Sequence, residues 1–194
     1  GRMMVYFTIR RMPEKGSEGS MTDRKTRLYY SNADVDFTTL VSEPALLYSY
    51  PDSTVQILDA DICRMPDGRY FMTYVAQEGP AGIKMAFSDS INSGYNYLPD
   101  QIDTEPRSCE APTTWKRIGE NKWVVMYDIF SINPHNFGFV ETSNFKTFTP
   151  LGRFNEGVMK TTNFTSPKHG AMIHLTAEEA DRIENYWKNI NATK

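Results

Sequence analysis

Two acidic residues occupy matching places in the sequence and could act together in acid–base chemistry. Asp59 lies ten residues before Arg69, and Glu110 lies twelve residues before Lys122. Each of these basic residues opens a run of alternating aromatic and aliphatic residues. Paired carboxyl groups can donate and accept protons, as they do in the hydrolysis of glycosidic bonds. Asp61 falls two residues after Asp59, on the same side of a strand, and is a competing candidate.

The elements that must position these acids form an internal repeat. Strand-like runs begin at Arg2, Arg69 and Lys122, and a second strand ends at a serine in each repeat: Ser31, Ser88 and Ser143. The serines are 57 and 55 residues apart. Short strands with a period near 50 residues are typical of a β-propeller, in which each repeat is one blade. A two-sheet sandwich is the alternative, but it gives no reason for the fixed spacing.

The end of the chain changes from strand to helix periodicity. Thr176 and Glu179 have the spacing of a capping box, which predicts that a helix begins after Thr176. Apolar residues then recur at intervals of three and four, at Ala180, Ile183, Trp187 and Ile190. We therefore expect a short C-terminal helix that packs on the outside of the last blade.

Composition limits the class of protein and its partners. The 194 residues predict a single domain over 1–194, and the net charge of −3 argues against nucleic acid or an anionic membrane as a partner. The two cysteines lack the spacing of metal ligands, so no metal site is predicted. The cellular location stays open, with an extracytoplasmic compartment favoured.

Three short motifs resemble those of a known enzyme family. The runs Asp59-Ala60-Asp61-Ile62, Glu110-Ala111-Pro112 and Lys168-His169-Gly170 are similar to motifs of the five-bladed propeller glycosidases of glycoside hydrolase family 43. The resemblance covers essentially the whole chain and points to the β-xylosidase and α-L-arabinofuranosidase members. It implies an all-β fold, a five-bladed β-propeller with a short C-terminal helix.

The resemblance also implies roles for individual residues. Glu110 matches the general acid of the family, Asp59 matches the pKa modulator that orients it, and Ala111 replaces a glycine of the motif. His169 matches an imidazole in the central channel, either near a calcium or sodium ion or as a hydrogen-bonded structural residue. No cofactor is required. Trp115 is expected either to stack on a sugar ring or to pack in the core.

The catalytic base is the part of the mechanism that the motifs do not supply. By analogy with Asp59 and Glu110, the base is expected about ten positions before Arg2, upstream of Gly1. The first blade is therefore predicted to be incomplete, and the chain by itself is predicted to be weak or inactive. Exposed blade edges predict self-association.

The leading hypothesis is an inverting glycoside hydrolase that acts on oligosaccharides or polysaccharides containing xylose or arabinose. Inversion needs a protonated carboxyl group on one side of the sugar and a second carboxylate that activates water on the other side. The alternative is a non-catalytic propeller that binds glycan or supports assembly, with its acids as polar channel residues.

Overall fold

The computed structural model describes residues 3–11, 25–160 and 164–192, which form three antiparallel sheets and one helix. The first sheet contains β1 (Met3–Arg11), β2 (Lys25–Ala33) and β3 (Ala45–Leu46). The second contains β4 (Ile57–Arg64), β5 (Tyr70–Ala76), β6 (Gly82–Ser88) and β7 (Asn96–Gln101). The third contains β8 (Glu110–Lys116), β9 (Trp123–Ile129), β10 (Asn136–Thr142) and β11 (Thr149–Arg153). Within each sheet the strands follow sequence order, which is the arrangement of propeller blades and confirms the predicted fold class.

Tight turns connect the first two strands of the second and third blades. Between β4 and β5, the amide of Gly68 donates to the carbonyl of Met65, and Gly68 has a φ of 91°. Between β8 and β9, Gly119 has a φ of 78°. Glycine occupies both positions because a Cβ atom disfavours the left-handed backbone that these turns need.

Alternate residues of β5, the second strand of its blade, pack against different neighbouring sheets. Phe71 and Val75 of β5 belong to the cluster between the second and third sheets, whereas Met72 and Tyr74 face the first sheet. The side chains of successive strand residues point to opposite faces, so the aromatic–aliphatic alternation reports a strand that is buried on both sides. The core therefore lies between the blades.

The first sheet lacks a counterpart of the inner strands β4 and β8 among the residues that the structure describes. Serine hydroxyls identify the equivalent strands: Ser31, near the end of β2, donates to the carbonyl oxygen of Ser42, and Ser88, the last residue of β6, donates to that of Ser93. In the third blade Thr142 takes this place, one residue before the predicted Ser143, and accepts from the amide of Phe145 at 2.8 Å. β1, β2 and β3 thus correspond to the second, third and fourth strands of a blade, as expected for an incomplete first blade.

The C-terminal helix begins where the sequence predicts, but its surroundings differ from the prediction. In α1 (Ala177–Ala192), the Glu179 carboxylate accepts from the Thr176 amide at 2.8 Å, and the Thr176 hydroxyl accepts from the Glu179 amide at 3.2 Å. The expected packing on the last blade is wrong, because Ile183 and Trp187 are 48% and 56% exposed. Among the described residues, no helix has the length and apolar character needed to cross a membrane. Self-association through blade edges stays a prediction.

Candidate functional site

A left-handed residue marks the same point in three successive inner segments. These residues are Asp59 in β4, Ala111 in β8 and His169 in the segment 164–175, with φ values of 53°, 48° and 47°. In both strands the pairing register shifts at this point, between Leu58 and Asp61 and between Glu110 and Thr113. A bulge bends the strand that carries it, so both inner strands bend at the point where their acids lie.

This common point refines the predicted equivalence of the two acids. Asp59 is equivalent to Ala111, so Glu110 precedes the left-handed residue by one position instead of matching Asp59 directly. The family motif has glycine at the position of Ala111, and the left-handed backbone at this position explains that preference. A left-handed backbone costs roughly 1–2 kcal/mol for a residue with a Cβ atom and nothing for glycine.

Glu110 opens β8 and lies in contact with two basic side chains. Its Oε1 atom is 3.2 Å from Lys168 Nζ and 3.0 Å from His169 Nε2. The Glu110 side chain is 20% exposed, whereas that of His169 is 52% exposed. The carboxyl group therefore reaches solvent while its orientation is fixed from the neighbouring segment.

Asp59 is joined to Glu110 through the backbone between the two inner strands. Its Oδ2 accepts from the Ala111 amide at 3.2 Å, and its own amide donates to Thr8 Oγ1 at 3.3 Å. Burial raises the pKa of Asp59, the bond from Ala111 opposes this shift, and the charge of Glu110 adds to it. Asp59, Ala111 and His169 line a common cavity of about 440 Å³.

Asp61 lies further along β4 and supports the neighbouring strand. Its Oδ2 accepts from the Thr114 amide at 2.6 Å. Burial raises the pKa of Asp61 to about 6, although hydrogen bonds from Thr114 oppose the shift. Asp61 thus binds the backbone of β8, away from the Glu110 carboxyl group.

Asp128 is a member of the site that the motif analysis missed. It lies on β9 directly opposite Glu110, is completely buried, and has its Oδ2 3.9 Å from His169 Nε2. Burial raises the pKa of Asp128, Glu110 contributes in the same direction, and Lys168 and His169 oppose it. The sequence contained one signal for this residue, because Asp128 is an acidic residue inside the apolar run that forms β9. Burying a carboxylate costs free energy, so such a residue indicates a functional reason for its position.

The channel cation stays a prediction, and the nearby donor atoms fit calcium poorly. Within the part of the chain that the structure describes, Glu110, Asp128 and His169 each place one ligand atom within 4.8 Å of the others. Calcium takes six to eight oxygen ligands, whereas this group offers two carboxylates and an imidazole nitrogen. The Lys168 ammonium group also neutralises Glu110 at this position.

Trp115 lies away from the acids. The β9 partners of Glu110 and Trp115, Asp128 and Val124, lie four positions apart, which separates the two residues by roughly 13 Å at about 3.3 Å per residue. Trp115 is half-buried and borders a different cavity, with Cys63 and Trp123. The structure thus brings together Glu110, Asp59 and His169 but not Trp115.

Comparison with known proteins identifies the family. Residues 1–181 match the sequence model of a family described as a probable glycosyl hydrolase domain, related to glycoside hydrolase family 43. A crystal structure of a thermostable family-43 glycoside hydrolase superposes with a TM-score of 0.57 at 14% identity, covering 90% of this chain and 58% of that chain. This likeness shows the fold, and the chain spans 58% of the length of that enzyme.

Two further solved structures are similar over smaller parts of the chain. An endo-arabinase from Bacteroides thetaiotaomicron gives a TM-score of 0.45 at 15% identity, with coverage of 66% of this chain and 45% of that chain. A glycosyl hydrolase from Bacteroides ovatus gives 0.49 at 13% identity, with coverage of 77% and 47%. No curated protein matches the chain. From the match over residues 1–181, the chain belongs to the family of probable glycosyl hydrolase domains related to glycoside hydrolase family 43.

Proposed function

We propose that the protein is an inverting glycoside hydrolase for xylose- or arabinose-containing glycans, with Glu110 as its general acid. The observation that carries this proposal is the position of Glu110 beside Asp59, one residue from a cavity of about 440 Å³. Both described contacts of the Glu110 carboxyl group use Oε1. This leaves Oε2 to carry the proton toward the leaving oxygen of a bound glycoside.

Asp59 serves in this proposal as the residue that positions and modulates Glu110. Its carboxylate accepts from the amide of Ala111, which directly follows Glu110, so a shift of Asp59 moves the backbone that carries the acid. The charge of Glu110 also raises the pKa of Asp59, so the two groups interact electrostatically.

The reaction requires a second carboxylate on the opposite side of the sugar. That carboxylate removes a proton from water as the water oxygen bonds to the anomeric carbon, while Glu110 protonates the leaving oxygen. The two carboxyl groups of inverting enzymes lie about 6.5–9.5 Å apart. We assign this role to none of the carboxylates that the structure describes.

The role of Glu110 is tested by changing the leaving group of the substrate. Aryl xylosides and arabinofuranosides with poor leaving groups need acid assistance, whereas a dinitrophenyl leaving group does not. With azide as the nucleophile, so that no catalytic base is needed, we expect Glu110→Gln to lower the rate on poor leaving groups by about 10²–10⁴-fold and to leave the dinitrophenyl glycoside nearly unaffected. Glu120→Gln, in the exposed β8–β9 turn, is the matched control. Equal losses on both classes of substrate would contradict the assignment.

The need for a catalytic base and the inversion of configuration are tested with azide. If water activation is the missing step, azide should attack the anomeric carbon of an activated glycoside and release a glycosyl azide of inverted configuration. A glycosyl azide of retained configuration would refute inversion.

The second candidate function is non-catalytic glycan binding. The ion pair of Glu110 with Lys168 favours it, because a carboxylate held in this way can orient a bound ligand without transferring a proton. Binding of xylo- or arabino-oligosaccharides without cleavage, with no glycosyl azide formed when azide is added, would support this function instead.

A further inference from the structure

Three basic residues occur at equivalent points of the three inner segments, at the end opposite the acids. Arg64, Lys116 and His174 each follow the left-handed residue of their segment by five positions. All three side chains are exposed. The inner segments thus carry acidic groups near one end and cationic or ionisable basic groups at the other.

These residues surround a cavity of about 740 Å³ at the far ends of β4 and β8. The lining also includes Trp115, Trp123 and Met172. Within the described residues the lining contains no acidic side chain, and Arg64, Lys116 and His174 form no ion pair. The positive charge of this surface is therefore not neutralised by a neighbouring carboxylate.

The two tryptophans give the cavity a flat apolar side. Trp115 is partly exposed, whereas Trp123 is 4% exposed and lies beneath the Lys116 ammonium group, 5.2 Å from Nζ to the ring centroid. This cation–π contact holds Lys116 at the cavity. The accessible Trp115 ring provides a surface for a flat, partly apolar ligand.

We propose that this cavity binds an acidic saccharide, with the sugar carboxylate at Arg64 and Lys116 and the sugar ring against Trp115. The guanidinium group of an arginine can donate two parallel hydrogen bonds to a carboxylate, and the lysine adds a second charge. The choice of a saccharide rests on the proposed function, whereas the preference for an anion rests on the charges of the cavity alone.

The cavity is separate from the acid site. The β9 partners of Glu110 and Lys116, Asp128 and Trp123, lie five positions apart, so the two residues are separated by roughly 17 Å of strand. The sugar residue that binds in the basic cavity therefore need not carry the bond that is cleaved. Binding at the acid site and at the basic cavity together would favour glycans that carry uronate residues on or near a neutral chain.

Tryptophan fluorescence can report this binding directly. The chain has three tryptophans, two of which line the cavity, and the third, Trp187, is 56% exposed on α1. A Trp187→Phe protein therefore reports mainly from the cavity. We expect D-glucuronate to change its fluorescence in a saturable, salt-sensitive manner and D-glucose to leave it unchanged.

Charge variants and competing ligands decide the outcome. In the Trp187→Phe protein, Arg64→Gln with Lys116→Gln should weaken glucuronate binding about tenfold or more. Lys146→Gln with Lys188→Gln, which removes two exposed charges elsewhere, should not weaken it. Glu110→Gln should retain binding, which separates this result from failure of the proposed hydrolase activity. Unchanged binding by the Arg64 and Lys116 variant, or equal affinity for sulfate and glucuronate, would overturn the proposal.

Discussion

The buried carboxyl group of Asp61 should make the stability of the protein fall as the pH rises from about 4 to 6. Burial raises the pKa of Asp61 from 3.8 to about 6, so the folded state holds the proton more tightly than the unfolded chain does. Ionisation of Asp61 within this pH interval therefore costs folding free energy. At about 1.4 kcal/mol per pKa unit, the cost reaches about 3 kcal/mol above pH 6.

The substitution Asp61→Asn isolates this cost. An asparagine oxygen can still accept from the Thr114 amide, which Asp61 Oδ2 binds at 2.6 Å, but the side chain no longer ionises. We expect the variant to match the wild type near pH 3.5 and to exceed it at pH 7 by up to about 3 kcal/mol in the free energy of unfolding.

Urea unfolding at a series of pH values measures this difference. Asp67→Asn is the control with the opposite sign, because hydrogen bonds from Arg69 lower the pKa of the exposed Asp67. Asp67 therefore stabilises the folded state above its ordinary pKa, and this contribution is lost as the pH falls. If Asp61→Asn is less stable than the wild type at pH 7, the Thr114 hydrogen bond outweighs burial and the reasoning is refuted.

Two backbone positions give further predictions. Ala111→Gly should stabilise the fold by about 0.5–1 kcal/mol in urea unfolding, because glycine removes the strain of a φ of 48°; an unchanged or lower stability would contradict this account. Gly138→Ala should destabilise it by about 1–3 kcal/mol, because the new Cβ atom would lie 2.3 Å from the Tyr127 ring. Combining Gly138→Ala with Tyr127→Leu should recover part of that loss, and an additive effect would show that the ring is not the cause.

The repeat was predictable from sequence because burial between blades forces alternation of side chains. The runs that begin at Arg69 and Lys122 became β5 and β9, and the acids were correctly placed on the strands before them. The one-residue offset between Asp59 and Glu110 was not predictable from spacing, because the β8–β9 connection is also one residue longer than the β4–β5 connection and accounts for part of the difference.

Contacts that depend on strand pairing were harder to predict. Asp128 lies opposite Glu110 only because of the register in which β8 pairs with β9, and the bulge shifts that register. The position of Trp115 at the far end of β8 follows from the length of the strand. The capping box at Thr176 is a local signal and was predictable, whereas the surroundings of Trp187 depend on long-range contacts that periodicity does not report.

The burial of β5 and β9 on both faces has a consequence for how the molecule unfolds. Every residue of β9 is buried, and its two faces belong to different clusters of side chains. Each blade therefore obtains much of its stability from its neighbours, which is the nearest-neighbour coupling of repeat proteins. Opening should begin at the first sheet and at α1 and proceed inward, so the amide hydrogens of β5 and β9 should be the slowest to exchange with solvent.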